Sequence, residues 1–130
     1  VVAAMGGIMT GVVFDWMDSM EQGAEETALP GQLHIARQCR QALQEVVGHL
    51  KERGDSGFQE FHARRVVDMA AESSMAYLLM RDAVHSESKR VVADLFLARA
   101  STRVQTWKET ILARNQVWFE QAAALGEQSL

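Results

Sequence analysis

Ala76–Phe96, AYLLMRDAVHSESKRVVADLF, contains the end of one helix, a tight break at HSES and the start of another. Ser86 stands where a helix N-cap belongs, able to accept a backbone N–H, and Glu87 follows in the first turn, where a carboxylate suits the helix dipole. A break this short makes the flanking helices antiparallel neighbours. Two further breaks divide the chain in the same way: LPG at Leu29–Gly31 and RGDSG at Arg53–Gly57. The stretches between breaks carry helical rather than alternating periodicity. The pattern therefore predicts an all-α fold, an antiparallel up-down four-helix bundle spanning residues 1–130 as one domain.

The second stretch is the most regular. Ala36, Cys39, Leu43, Val46 and Leu50 repeat at three- and four-residue spacing and form one stripe, with Arg37, Arg40, Gln44, Lys51 and Glu52 outside it. In the third, from about Phe58 to Val84, the stripe reads Ala63, Val67, Ala70, Ser74 and Tyr77, with Leu78 beside it. In the fourth it reads Ala93, Leu97, Ala100, Val104, Trp107, Ile111 and Trp118; this helix either runs past residue 118 or breaks near Asn115.

The first stretch, to about Thr27, is apolar nearly all round through Val13, with Met5, Met9, Val12, Trp16 and Met20 as its best stripe. A helix apolar on every side is buried on every side. This predicts an interface along Val2, Met5, Met9, Val13 and Met20, covered by another part of a longer chain or by a second copy. The uncharged run Val1–Phe14 is shorter than the roughly 18 residues of a membrane span, so a core helix is expected. A start at Val1, with no signal-peptide pattern, predicts a fragment of a longer protein.

Composition narrows the function classes. The 130 residues are 48% hydrophobic and 23% charged, as in an ordinary globular domain. A net charge of −4 argues against a nucleic-acid binder, which needs a basic stripe. The single cysteine, Cys39, cannot form an internal disulfide; it fits a reducing compartment and a cytoplasmic location. Within an apolar stripe it is expected to be an inert core thiol.

No catalytic constellation is legible, and no metal site is expected. A di-iron site needs Glu-x-x-His twice, and the chain has none. Glu45 and His49 are four apart on one helix with Glu52 on the same side, the sole candidate ligand set; a solvated face is the expectation. His34, His62 and His85 are expected at helix ends or on the wet side. Gly6, Gly7 and Gly11 lack the Lys of a phosphate loop. Gly7-x-x-x-Gly11 permits a close helix contact or is coincidence. Arg53-Gly54-Asp55 spells an integrin-binding tripeptide, but Gly54 suits a left-handed helix end and Asp55-Ser56-Gly57 is turn chemistry. Of the charges near the inner stripes, Asp68, Glu72, Arg81, Asp82, Arg99 and Arg103, most are expected to be solvated and a few to tie helices together. The seven methionines, four of them in the first stretch, are expected as core filler rather than a plastic binding surface.

The pattern AESSMAYLLMRDAVHSESKRVVADLFLARASTRV resembles the C-terminal helical region of acyl-CoA dehydrogenase-like flavoproteins, and the resemblance covers about Asp68–Val104. The likeness rests on small residues along one helix, the Met80-Arg81-Asp82-Ala83 ending, the short break, and Lys89-Arg90 followed by Ala93-x-x-Phe96. The resemblance implies a four-helix bundle, or a helical segment appended to it, in an enzyme that binds FAD and an acyl-CoA thioester between its domains. The implied role is packing, subunit association and closure of the acyl pocket, with catalysis in the complete enzyme. No matching motif surrounds Glu21, Glu25, Glu45 or Glu72, so the resemblance carries no catalytic base onto this chain. The alternative is a stand-alone bundle acting as an interaction or dimerisation module.

Overall fold

A computed structural model describes residues 2–24 and 26–129. Val1 and Glu25, both named above, lie outside the described residues, as does Leu130. The fold is all-α. Six helices follow one another: α1 (Val2–Met9), α2 (Val12–Ala24), α3 (Pro30–Arg53), α4 (Ser56–Asp82), α5 (Glu87–Leu112) and α6 (Val117–Ser129), with a 3₁₀ turn at Ala83–His85. Helices α3, α4 and α5 pack against one another in all three pairings, while α1 and α2 both lie against α4.

The breaks work by the chemistry their residues suggest. Pro30 opens α3, where its missing N–H costs nothing. Gly54 closes α3 in the left-handed conformation (φ +62°), its N–H reaching the Leu50 carbonyl at 3.1 Å. Asp55 then caps α4, its carboxylate accepting the Phe58 N–H at 3.1 Å. The tripeptide at Arg53–Asp55 is thus a helix stop followed by a helix start. Ser86 caps α5 by accepting the Lys89 N–H at 3.2 Å, and Glu87 occupies the first turn.

Backbone conformation corrects the first expected helix and decides between the two alternatives for the fourth, in favour of a break near Asn115. The first stretch is two helices, because Gly11 takes φ +89° and ends the run of helical hydrogen bonds. The fourth ends at Leu112, where Ala113 turns extended (ψ 138°), and a separate α6 follows. Trp118 therefore leaves the α5 stripe and is 68% exposed.

The core forms where the three long helices meet. On α3 the stripe Ala36, Cys39, Leu43, Val46 and Leu50 is fully buried. On α5 Ala93, Leu97, Ala100, Val104 and Ile111 are buried and Trp107 packs at their edge. Each fully buried Leu, Ile or Met contributes about 1.5–3 kcal/mol. On α4 the deepest face is displaced from the expected one: Phe58, His62, Val66, Met69, Ser73, Ala76, Tyr77 and Met80 are buried, whereas Val67, Ser74 and Leu78 are half-buried and turn towards the α1–α2 side. His62 and Ser73 interrupt the apolar pattern of the inner face. That is why the more uniformly apolar neighbouring face reads as the stripe.

Methionines fill the core as expected. Met17, Met69 and Met80 are fully buried, and Met5, Met9 and Met20 pack partly against them. The first stretch is not buried all round: within α1 only Ile8 is buried, Val2 is almost fully exposed, and Met5 and Met9 are half-buried.

Candidate functional site

An apolar groove of about 580 Å³ lies between the α1–α2 pair and α4. Ile8, Val12, Val13 and Trp16 form one wall; Val67, Ala70, Ser74 and Leu78 form the other. The break at Gly11 makes it, by setting α2 at a new angle to α1. Only the Ser74 hydroxyl and the Trp16 indole among its lining residues carry a polar side-chain group. Such a surface can hold an acyl chain or an apolar helix face; it has nothing to neutralise a phosphate. Of the expected interface residues only Val13 lines it; Met5, Met9 and Met20 lean on the chain's own core, and Val2 stands at the exposed end of α1. Val12, 62% exposed, is the apolar residue that the interface reading left out.

Gly7 and Gly11 do not share one helical face, since Gly11 lies beyond the end of α1. A methyl group added at either glycine would meet no atom within 4 Å. Within the chain the pair therefore makes no close helix contact.

A polar cluster fastens α2 onto the core. The Tyr77 hydroxyl donates to Glu21 Oε1 at 2.5 Å, Arg37 Nε approaches the same oxygen at 3.4 Å, and Arg40 bridges to Asp18 at 2.5 Å and Glu21 at 3.9 Å. Burial pushes the Tyr77 phenol well above its ordinary pKa, the hydrogen bond and negative charge of Glu21 push the same way, and Arg40 opposes them. With three partners on its carboxylate, Glu21 acts as a clamp and not as a free base.

Cys39 is 1% exposed, and its thiol is pushed up to about 11, first by burial and then by the Glu72 charge. That is an inert thiol, as its place in the stripe implied. Glu72 itself pairs with Arg103 at 2.8 Å and ties α4 to α5. Glu45 pairs with Lys108 at 2.5 Å, and the His49 ring packs edge-to-face with Phe58 at 5.8 Å between centroids. Glu52 is exposed. Among the described residues no group of three or more His, Cys, Asp or Glu gathers around a metal-sized point. His34 and His85 are exposed as expected.

His62 is the residue that sequence reasoning misplaced. It is 1% exposed, set between the Phe58 and Phe61 rings, with Nε2 3.1 Å from Gln116 Oε1. The signal available was its spacing of four from both Phe58 and Val66, which puts it on the apolar face of α4.

No helix among the described residues is long and apolar enough to cross a membrane. The model of the family described as acyl-CoA dehydrogenase C terminal matches residues 9–116. No curated protein and no solved structure matches the chain.

Proposed function

The chain belongs to the acyl-CoA dehydrogenase C-terminal family, and on that premise we propose that it is the helical-bundle domain of an FAD-dependent acyl-CoA dehydrogenase-type enzyme. In this reading α3, α4 and α5, with α1–α2 as the fourth member, form an up-down antiparallel bundle. Its work is packing against the enzyme's other domains, subunit association and closure of the acyl pocket, in a cytoplasmic homo-oligomer. The observation that carries it is the apolar groove between α1–α2 and α4.

Acyl-CoA dehydrogenases are FAD enzymes, but the groove here does not fit FAD. A pyrophosphate needs convergent donors or cations, and the groove walls offer one hydroxyl and one indole. The flavin would be held by other parts of the enzyme. The interface proposed runs along Val2, Met5, Met9, Val13 and Met20, extended by Val12.

The test is Val12→Asp in the complete enzyme. Val12 is mostly exposed, so the substitution leaves the bundle's own stability within about 0.5 kcal/mol while placing a charge at the groove. Smaller particles by light scattering, with weakened acyl-CoA oxidation, are expected. Unchanged mass and activity would sink the interface. A flavin-free protein that nevertheless loses self-association on Val12→Asp would favour the stand-alone dimerisation module instead.

A further inference from the structure

We propose that the outward side of α4 and α5 is a self-association surface, on which α5 packs antiparallel against α5 of a second copy of this chain.

Helix α5 carries two stripes. The inner one, Ala93, Leu97, Ala100 and Val104, is buried. On the other side Ser88, Val92, Leu95, Arg99, Thr102 and Thr106 repeat with the same alternation of four and three residues, and all are exposed. Val92 is 54% and Leu95 65% exposed. The Thr102 hydroxyl donates to the Ala98 carbonyl and the Thr106 hydroxyl to the Thr102 carbonyl, so both side chains spend their donors on their own helix. A bundle helix with water on this side carries charges there. Here the stripe has one, Arg99. An outward stripe of three-four spacing is the seam that another helix fits, knobs into holes.

The hole lies beside the knob. A concavity of about 250 Å³ between α4 and α5 is lined by Leu79, Asp82, Ser88, Lys89 and Val92. Leu79 and Asp82 are about one turn apart on α4, and Val92 and Ser88 are one turn apart on α5. The two helices run in opposite directions across a short break, so Leu79 and Val92 make an apolar end and Asp82 and Ser88 a polar end. The outward stripe offers the matching pair: apolar Leu95, and cationic Arg99 one turn on. Arg99 has no ion-pair partner among the described residues.

This pairing selects both the partner and its direction. A parallel copy would set Arg99 against Arg99. An antiparallel copy, in the register that pairs Val92 with the other copy's Leu95, also pairs Ser88 with its Arg99. Leu95 then enters the apolar end of the facing hole, and Arg99 reaches Asp82 at the polar end. A twofold axis makes each contact twice, because knob, hole, cation and carboxylate all stand on one chain. Asp82 also meets Arg81 of its own helix at 3.3 Å, but both side chains are about half exposed, where such a pair is worth little. Lys89 is the like charge at the rim, and its flexible exposed stem lets it turn to solvent. The surface shares no lining residue with the groove between α1–α2 and α4, so the inference does not rest on the function proposed above.

The experiment is sedimentation of the full-length protein over a range of concentrations. Leu95→Asp alters an exposed side chain, so circular dichroism should be unchanged while the assembled mass falls. A pair of charge reversals then tests the contact itself. Arg99→Asp alone sets carboxylate against Asp82 of the other copy, and Asp82→Arg alone sets guanidinium against Arg99. Each alone should associate at least roughly tenfold more weakly than the wild type. Mixed in equal amounts, the two variants should assemble again, since every contact across the twofold is then between opposite charges. Recovery on mixing is expected only if residues 82 and 99 meet between copies. Wild-type assembly in Leu95→Asp, or in both single reversals, overturns the proposal. So does a mixture that assembles no better than its components. A face covered by another part of the same chain would leave the mass unchanged in all three variants, which is the first of these refuting results.

Discussion

The Tyr77 hydroxyl on α4 donates a 2.5 Å hydrogen bond to Glu21 on α2, joining residues 56 apart in sequence. Tyr77 is fully buried and the Glu21 side chain is 16% exposed, so the bond is partly shielded from water and charge-assisted. Tyr77→Phe removes the hydroxyl and leaves the ring. The expected loss is about 1.5–3 kcal/mol, the range for hydrogen bonds to charged groups, read from urea unfolding with an unchanged slope. The same bond sets an alkaline limit. The folded pKa of Tyr77 lies above the unfolded value, so the folded state keeps its proton longer, and stability falls as pH rises above about 10. As Tyr77 is the chain's one tyrosine, tyrosinate absorbance should appear together with unfolding. A simple titration at the ordinary value in the folded protein would show the bond to be absent.

Ser73 is fully buried on the inner face of α4, and its hydroxyl has no hydrogen-bond partner among the described residues. An unsatisfied buried hydroxyl is a cost that alanine does not carry. Ser73→Ala is therefore expected to be neutral or stabilising by up to about 1 kcal/mol, helped by alanine's better helix propensity. A loss above about 1 kcal/mol in thermal or urea unfolding would mean that the hydroxyl has a partner in solution.

The same residue shows why some of the fold is legible in sequence and some is not. The α3 and α5 stripes are unbroken by polar side chains, so period alone finds them. The inner face of α4 contains His62 and Ser73, whose burial depends on Gln116, 54 residues beyond His62, and on packing that no local pattern encodes. Caps at Asp55 and Ser86 and the stop at Gly54 are local, and local chemistry finds them. Gly11 was legible as a glycine but not as a break, because the apolar residues on both sides continue a helical pattern through it. The groove arises from that break and from the face of α4 that turns towards it. It is a product of two distant segments and has no signature in either.

Gly7 and Gly11 give a test in which opposite signs are expected. Gly11 sits at φ +89°, where a side chain is strained even though a methyl group there would meet no atom. Gly11→Ala is expected to destabilise the α1–α2 pair by about 1–2 kcal/mol. Gly7 lies inside α1 with ordinary helical geometry and open space around it, so Gly7→Ala should stabilise that helix by about 0.5–1 kcal/mol. If the pair were instead a close-packing motif within this chain, both substitutions would destabilise it. Because Gly7 also lines the groove, its variant separates folding from assembly. Hydrogen exchange across residues 2–24 reads the helix, and light scattering on the assembled protein reads the interface. Tighter protection together with loss of assembled mass would place a partner's backbone against Gly7. Tighter protection with unchanged mass would leave Gly7 clear of the interface. Loss of protection would contradict the open space around Gly7.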